Sequence, residues 1–153
     1  MNEASDSVTK QKLLKAFMQF RKAGWHGKSV DGYKPSEIML LFCLKKGTEP
    51  AASQGMKVSE ISKRLHVTSP TVTQLLNGLE RDGLVERNTD PVDRRAVGIK
   101  LTPAGEALTK KASAAFSETF DGLIHYLGEE QSEQLAELLS KVSAYFGEKR
   151  CSR

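Results

Sequence analysis

Residues 58–87, VSEISKRLHVTSPTVTQLLNGLERDGLVER, predict two short helices that are joined by a tight turn and followed by a strand. The first helix is expected from Ser59, a good N-cap, to about Leu65, with Ile61 and Leu65 on one face. Residues 66–68, His-Val-Thr, form the turn. A short helix, a turn and a second helix with a polar outer face are typical of a helix-turn-helix.

The second helix of this stretch, residues 69–82, carries a start signal, an apolar stripe and a stop signal. It opens at Ser69-Pro70, a capping residue followed by the residue that best suits the first helical position. Gly83 ends it, because glycine readily closes a helix in the left-handed conformation. The apolar side recurs at helical spacing and predicts a buried face formed by Val72, Leu75, Leu76 and Leu79.

A β-hairpin is predicted directly after the second helix. The run LVER at residues 84–87 alternates between apolar and polar side chains, and AVGIKLT at residues 96–102 alternates again. An Asp-Pro turn separates the two runs, which is a hairpin signal. A hairpin that follows a helix-turn-helix is a wing, here residues 88–96.

Helices are also predicted on both sides of this unit. The chain is therefore expected to be mainly α with a small β-hairpin wing, and residues 35–102 are expected to form a winged helix-turn-helix lobe. The helices at residues 7–24 and 103–147 carry more apolar surface than that lobe can cover. We expect a second copy of the chain to bury this surplus, so these are dimerisation helices. The apolar spacing places the other helices at about residues 7–23, 35–45, 103–127 and 130–146, and Thr102-Pro103 repeats the cap-plus-proline start signal.

Composition and charge narrow the class of protein. The chain has 153 residues, 39% of them hydrophobic, and a net charge of +4, which fits one soluble domain with a modest basic surface for a polyanion. Its apolar runs are shorter than a membrane span and its N-terminus is polar, which predicts a cytoplasmic protein without membrane contact. Cys43 lies in the apolar run IMLLFCL and is expected to be a buried free thiol. The two cysteines have no metal-ligand spacing, and no cofactor is expected.

In four segments the sequence resembles the MarR family, the multiple-antibiotic-resistance-type transcriptional regulators. The segments are SEIMLLFCL, residues 58–87, DPVDRRAVGIKLT and TPAGEAL, and the resemblance covers roughly residues 7–147. It implies that residues 1–153 form a single MarR-like domain and that the protein is an obligate homodimer. It also implies binding of double-stranded DNA at a pseudo-palindromic operator, usually for repression, with frequent release by a small ligand or an oxidant.

Two features depart from the family pattern. The loop GTEPAASQG, residues 47–55, is longer than the usual connection. Family members that sense peroxide typically carry a reactive cysteine in the first helix, and this chain has none there. The second departure argues against peroxide sensing.

The second helix of the motif is expected to enter the major groove as a recognition helix, with its N-terminal half nearest the bases. Gln74 is the strongest candidate for reading a base, because a side-chain amide pairs bidentately with adenine. Thr71 offers a hydroxyl to a phosphate or a methyl group to thymine, and Ser69 at the helix start suits a phosphate. The alternative for Thr73 and Asn77 is that they only solvate an exposed face. The expected DNA contacts of this helix are Ser69, Pro70, Thr71, Thr73, Gln74 and Asn77.

The wing tip carries two adjacent arginines, Arg94 and Arg95. Guanidinium groups at a hairpin tip can enter the narrow minor groove, whose negative potential attracts them. Asp93 cannot favour DNA directly, so it is expected to hold an arginine by an ion pair, and the resemblance supports this division of roles. The alternative is a solvated charged turn. Phosphate contacts are expected from Lys63, Arg64, Arg87 and Lys100.

A small-molecule effector is expected where the lobe meets the dimerisation helices, because it must bind one conformation of the dimer better than the other. The candidate pocket residues are Trp25, His26, Tyr33 and Phe42. Core packing explains Phe42 better, and loop anchoring explains Trp25 and Tyr33 at least as well.

Two other functions compete with DNA binding. A winged-helix protein–protein interaction module would use the same helix and wing without an operator, but the paired arginines and the polar recognition face weigh against it. An enzyme is not expected, because the three histidines are scattered and the sequence offers no acid pair, nucleophile constellation or phosphate loop.

Overall fold

A computed structural model of the chain describes residues 3–24, 29–48, 55–89, 92 and 97–151, which contain six helices and one two-stranded hairpin. This confirms the predicted mainly α fold with a hairpin wing. By its internal contacts the chain divides into two compact units, Met1–Thr109 and Lys110–Arg153. The elements are α1 (Glu3–Lys22), α2 (Pro35–Gly47), α3 (Val58–Leu65), α4 (Ser69–Arg81), β1 (Val85–Thr89), β2 (Val97–Leu101), α5 (Pro103–Leu127) and α6 (Glu129–Cys151).

α2 lies at the centre of the first unit, as its almost wholly apolar sequence predicts. It packs against α3 and β2, while α4 packs against α3 and β1. Burying one aliphatic side chain contributes roughly 1.5–3 kcal/mol, so this cluster fixes the inner face of α4. Ten side chains of the cluster are less than 2% exposed: Ile38, Leu40, Leu41, Leu44, Met56, Ile61, Val72, Leu76, Leu79 and Ile99.

Cys43 of α2 is a buried free thiol, as predicted. Burial raises the pKa of this thiol, and the nearby positive charge of Arg64 opposes that effect without cancelling it. The neutral thiol is therefore the stable form, and Cys43 behaves as a small apolar side chain of the core.

The predicted N-cap of α3 is wrong. Ser59 was expected to cap the helix, but α3 begins at Val58 with Lys57 as its N-cap. Met56 pairs with β2, donating its N–H to the Ile99 carbonyl at 3.0 Å and accepting from the Ile99 N–H at 2.8 Å. This pairing holds the chain extended up to Lys57, and the helix starts immediately afterwards.

β1 and β2 pair antiparallel, from Val85 opposite Leu101 at the base to Thr89 opposite Val97 at the outer end. The pairing of Met56 with Ile99 anchors the base of the hairpin to the segment before α3. Gly55 is required there, because a Cβ would lie 2.6 Å from the Ile99 carbonyl oxygen at a φ of 101°.

The predicted Thr102-Pro103 start of α5 is confirmed and proves to be a joint with α4. The Thr102 Oγ1 accepts from the Gly105 N–H at 3.1 Å and donates to the Gly83 carbonyl at 2.6 Å. A Cβ on Gly105 would lie 2.0 Å from the carbonyl oxygen of Leu84. The hydroxyl and the missing side chain thus bring the start of α5 against the turn between α4 and β1.

Each unit leaves a large apolar surface exposed. In the first unit α1 exposes apolar side chains on much of its surface, Leu14 by 60% and Phe17 by 49%. In the second unit the exposed apolar side chains of α5 and α6 include Phe120, Leu123, Ile124, Leu135, Leu138 and Leu139. Many exposed apolar side chains on one helix or helix pair are typical of an interaction site. No helix in the described part of the chain is both long enough and apolar enough to cross a membrane.

Candidate nucleic-acid interface

The turn between α3 and α4 is held by hydrogen bonds between its two sides. His66 closes α3 in the left-handed conformation, with a φ of 54°. The Ser62 Oγ donates to the Val67 carbonyl at 2.6 Å, and the Val67 N–H donates to the Ser62 carbonyl at 3.2 Å. Non-glycine residues seldom adopt a positive φ, so these bonds offset the strain at His66 and fix how α4 leaves α3.

α4 is capped by Thr68, so the predicted cap at Ser69 is wrong by one residue. The Thr71 N–H donates to the Thr68 Oγ1 at 3.4 Å, and the two threonine hydroxyls share a hydrogen bond of 2.8 Å. Pro70 becomes the second helical residue instead of the first. Proline fits either position because neither N–H has an acceptor within the helix, so the sequence does not distinguish the two caps.

The buried stripe of α4 turns its polar side outward. Val72, Leu76 and Leu79 are fully buried, and Leu75 is half-buried. Side chains three and four residues apart share one helix face, so burial of this stripe presents the opposite face to solvent. All six predicted contact residues of the recognition helix are exposed: Ser69, Pro70, Thr71, Thr73, Gln74 and Asn77.

An open groove of about 460 Å³ lies beside Gln74 and Asn77. One side belongs to the start of α2, where the Lys34 N–H donates to the Glu37 carboxylate at 2.7 Å. The other side is α4, which contributes Arg81 as well as the two amide side chains. The amides thus stand at the edge of a concave, polar and charged surface.

Arg87 of β1 reaches back to α4. Its Nη2 donates to the Oδ1 of Asn77 at 2.8 Å, and its Nε forms an ion pair with the Oε2 of Glu80 at 2.5 Å. The side chains of Arg87 and Glu80 are 36% and 45% exposed, and exposed ion pairs contribute little stability. The contact therefore determines the position of the Asn77 amide more than it stabilises the fold.

The other predicted phosphate contacts occupy two elements. Lys63 and Arg64 are exposed in the last turn of α3. Lys100 is half-buried on β2, opposite Glu86 in the strand register. The predicted wing residues Asp93, Arg94 and Arg95 lie outside the described residues.

Of the predicted pocket residues, Trp25 and His26 lie outside the described residues. Tyr33 donates its hydroxyl to the Asp82 carboxylate at 3.0 Å, which ties the segment before α2 to the end of α4. Partial burial raises the pKa of the Tyr33 hydroxyl, and the hydrogen bond to Asp82 and its negative charge raise it further. Phe42 is half-buried in α2.

Sequence reasoning missed Glu80, Thr68 and Asp82. Glu80 lies seven residues before Arg87, on the other side of the Gly83 turn, so their opposite charges were a usable signal. Thr68 lies directly before Ser69 and is also a preferred N-cap residue type, so the sequence offered two candidate caps. The partner of Asp82 is 49 positions away, at Tyr33, and no local pattern reveals such a pair.

Comparisons with known proteins bear on this arrangement. A sequence profile of the MarR family matches residues 34–97, which span α2, α3, α4 and the first strand of the wing. A crystal structure of wild-type MarR from E. coli, in its apo form, is 25% identical, with a TM-score of 0.60 over 71% of this chain and 76% of that chain. Residues 34–97 thus carry the MarR-family pattern.

Two structures of another protein are similar to this chain over most of its length. The DNA complex of S. aureus MepR is 27% identical, with a TM-score of 0.61, and covers 94% of this chain and 91% of that chain. S. aureus MepR bound to ethidium bromide is 28% identical, with a TM-score of 0.55, and covers 90% of this chain and 95% of that chain. The likeness extends beyond residues 34–97 to the flanking helices.

Proposed function

We propose that this chain, a DNA-binding transcription regulator, acts in the cytoplasm as a repressor by occupying a pseudo-palindromic operator as a homodimer. The observation that carries the proposal is the polar, exposed face of α4, which a buried apolar stripe turns away from the core. The DNA complex of S. aureus MepR supports duplex DNA as the partner.

In this proposal α4 lies in the major groove with its N-terminal half nearest the bases. Gln74 reads adenine by a bidentate pair, which its exposed position permits. Thr71 offers its methyl group to thymine, because its hydroxyl is already bonded to Thr68 at 2.8 Å. Ser69 binds a phosphate beside the free N–H groups of the first turn. Pro70 and Thr73 complete the contact surface.

The wing contributes the second groove contact. Arg94 or Arg95 enters the minor groove and Asp93 holds the arginine in place, a role supported by the sequence of the tip. Lys63, Arg64 and Lys100 contact phosphates and position the lobe without reading sequence.

The homodimer is supported by the exposed apolar surfaces of α1, α5 and α6. We assign residues 7–24 and 103–147 to dimerisation and residues 35–102 to the DNA-binding lobe, within one MarR-like domain of residues 1–153. On B-DNA, the two recognition helices of such a dimer should lie about 34–36 Å apart, which is one turn of the duplex.

We also propose release by a small-molecule effector, which the structure of S. aureus MepR with ethidium bromide supports. An effector shifts the dimer only if it binds one conformation better than the other. Trp25, His26, Tyr33 and Phe42 remain its candidate contacts.

Selection of bound sequences from random duplex DNA, followed by footprinting on the selected site, tests the proposal. The expected result is two inverted half-sites with centres about one helical turn apart and an affinity that falls steeply with salt. A protein that selects no sequence, or protects a site without two-fold symmetry, would refute it.

The competing functions receive less support. A protein-interaction module is not supported, given the DNA complex of the related MepR. The proposal includes no catalytic step. His66 serves as the left-handed C-cap of α3, and His125 lies in the last turn of α5.

A further inference from the structure

The contact from Arg87 determines which atom of the Asn77 side chain is left for DNA. The Nη2 of Arg87 lies 2.8 Å from the amide of Asn77. A guanidinium group has only donors, so the amide atom that faces it is the oxygen. The Nδ2 group, with its two donor hydrogens, lies on the other arm of the planar amide.

Glu80 fixes Arg87 in turn. The Nε of Arg87 pairs with the Glu80 carboxylate at 2.5 Å, while the Nη2 bonds to Asn77. A planar guanidinium that bonds two acceptors through different nitrogens has little freedom to rotate. Glu80 and Asn77 both lie on α4, whereas Arg87 lies on β1. This double contact of Arg87 with Glu80 and Asn77, the Arg87 fork, therefore joins the helix to the wing.

We propose that Arg87 is a positioning residue that makes Asn77 donate to a single hydrogen-bond acceptor in the major groove, the N7 of a purine, the O6 of guanine or the O4 of thymine. The inference rests on the proposed function, because Asn77 must lie in the groove. An unrestrained asparagine pairs with adenine through both amide atoms. Here Arg87 already donates to the Oδ1, so the bidentate pair that favours adenine is weakened, and cytosine, which presents only a donor in the major groove, is the disfavoured base.

This role differs from the phosphate contact that the sequence predicts for Arg87. A phosphate contact acts equally on all sequences and adds about 0.9 to the salt slope of binding. A positioning role acts on base preference at one position of each half-site. The two roles therefore separate in measurements of specificity and of salt dependence.

Two substitutions test the inference in the full-length homodimer, with bound sequences selected from random duplex DNA. In Asn77→Asp the outward atom becomes an acceptor, so one position per half-site that disfavours cytosine in the wild type should come to favour cytosine or adenine, with a preference of about 2- to 10-fold. In Arg87→Lys the charge is retained and the fork is lost. The bidentate pair then becomes available, so adenine should become the preferred base at that position, while the salt slope stays unchanged because the charge is kept.

Arg81→Lys is the matched control, because Arg81 is an exposed arginine in the last turn of the same helix. It should leave the base at that position unchanged. Thermal melting and gel filtration check that each variant folds and dimerises. If Arg87→Lys does not fold, Glu80→Gln weakens the same contact and should raise the preference for adenine at the same position.

The inference is overturned if Asn77→Asp leaves every position unchanged, or if the variants of the fork keep the wild-type base profile. A wild-type protein that selects no symmetric site refutes the proposed function instead. The two failures are therefore distinguishable in one experiment.

Discussion

Gly105→Ala should destabilise the protein, although alanine is the better helix former. The new Cβ would lie 2.0 Å from the Leu84 carbonyl oxygen, 3.0 Å from its carbon and 3.2 Å from the Leu101 Cδ2. A carbon and a carbonyl oxygen approach no closer than about 3.3 Å. Helix α5 and the chain at Leu84 must therefore separate by more than about 1 Å.

The size of the effect follows from the bonds at this joint. The Leu84 carbonyl accepts the Thr102 N–H at 3.1 Å, and the Thr102 hydroxyl donates to the Gly83 carbonyl at 2.6 Å. Weakening these two bonds costs about 1 kcal/mol each, and overpacking adds about 1–3 kcal/mol. Alanine returns about 1 kcal/mol of helix propensity. The net loss of unfolding free energy should be about 2–4 kcal/mol.

Urea denaturation followed by circular dichroism, at one protomer concentration, measures this difference. Gly78→Ala is the matched control, since its Cβ would meet only the Arg81 Nη2, at an ordinary 3.7 Å. That variant should gain up to about 1 kcal/mol. If Gly105→Ala is as stable as the wild type, the account of this joint is refuted.

Four further outcomes are expected. Arg94→Ala should weaken operator binding and lower the slope of log affinity against log salt concentration by about 0.9 for each phosphate that is no longer neutralised. Fluorescence anisotropy at several salt concentrations measures this slope, and an unchanged slope would remove Arg94 from the wing contact. Gln74→Ala should relax base preference at one position per half-site and cost about 1–3 kcal/mol on the operator, whereas equal losses on operator and random DNA would argue against base reading. Leu76→Ala should lower the unfolding free energy by about 2–5 kcal/mol in urea denaturation, because the side chain is fully buried. Leu75→Ala, whose side chain is half-buried, should lower it by less, and equal losses would contradict the assigned inner face. The raised pKa of Tyr33 means that the folded state holds the hydroxyl proton more tightly than the unfolded state does, so the contribution of this group to the unfolding free energy is complete below pH 10.0 and is lost as the pH rises through the folded-state pKa. Tyr33→Phe should lack this alkaline loss in a pH series of melting temperatures, and parallel curves for both proteins would argue against the hydrogen bond.

Local sequence patterns were sufficient for most of the secondary structure. The apolar spacing of α4, the Thr102-Pro103 start of α5 and the alternating strands each predicted an element that the structure contains. The predicted caps at Ser59 and Ser69 were wrong by one or two residues. Several polar residues near each helix start can serve as a cap, and pairing with a distant strand decided the start of α3.

By itself, the sequence determined a winged helix-turn-helix with apolar flanking helices, because periodic burial and turn chemistry depend on neighbours within a few residues. It also determined which face of α4 is polar, and therefore the candidate contacts led by Gln74. Only the tertiary structure decided that Arg87 holds Asn77 and Glu80, that Tyr33 bonds to Asp82, and that Gly105 lies against Leu84. Each of these contacts joins elements that packing brings together, and the position of a shared atom depends on the whole core rather than on local spacing.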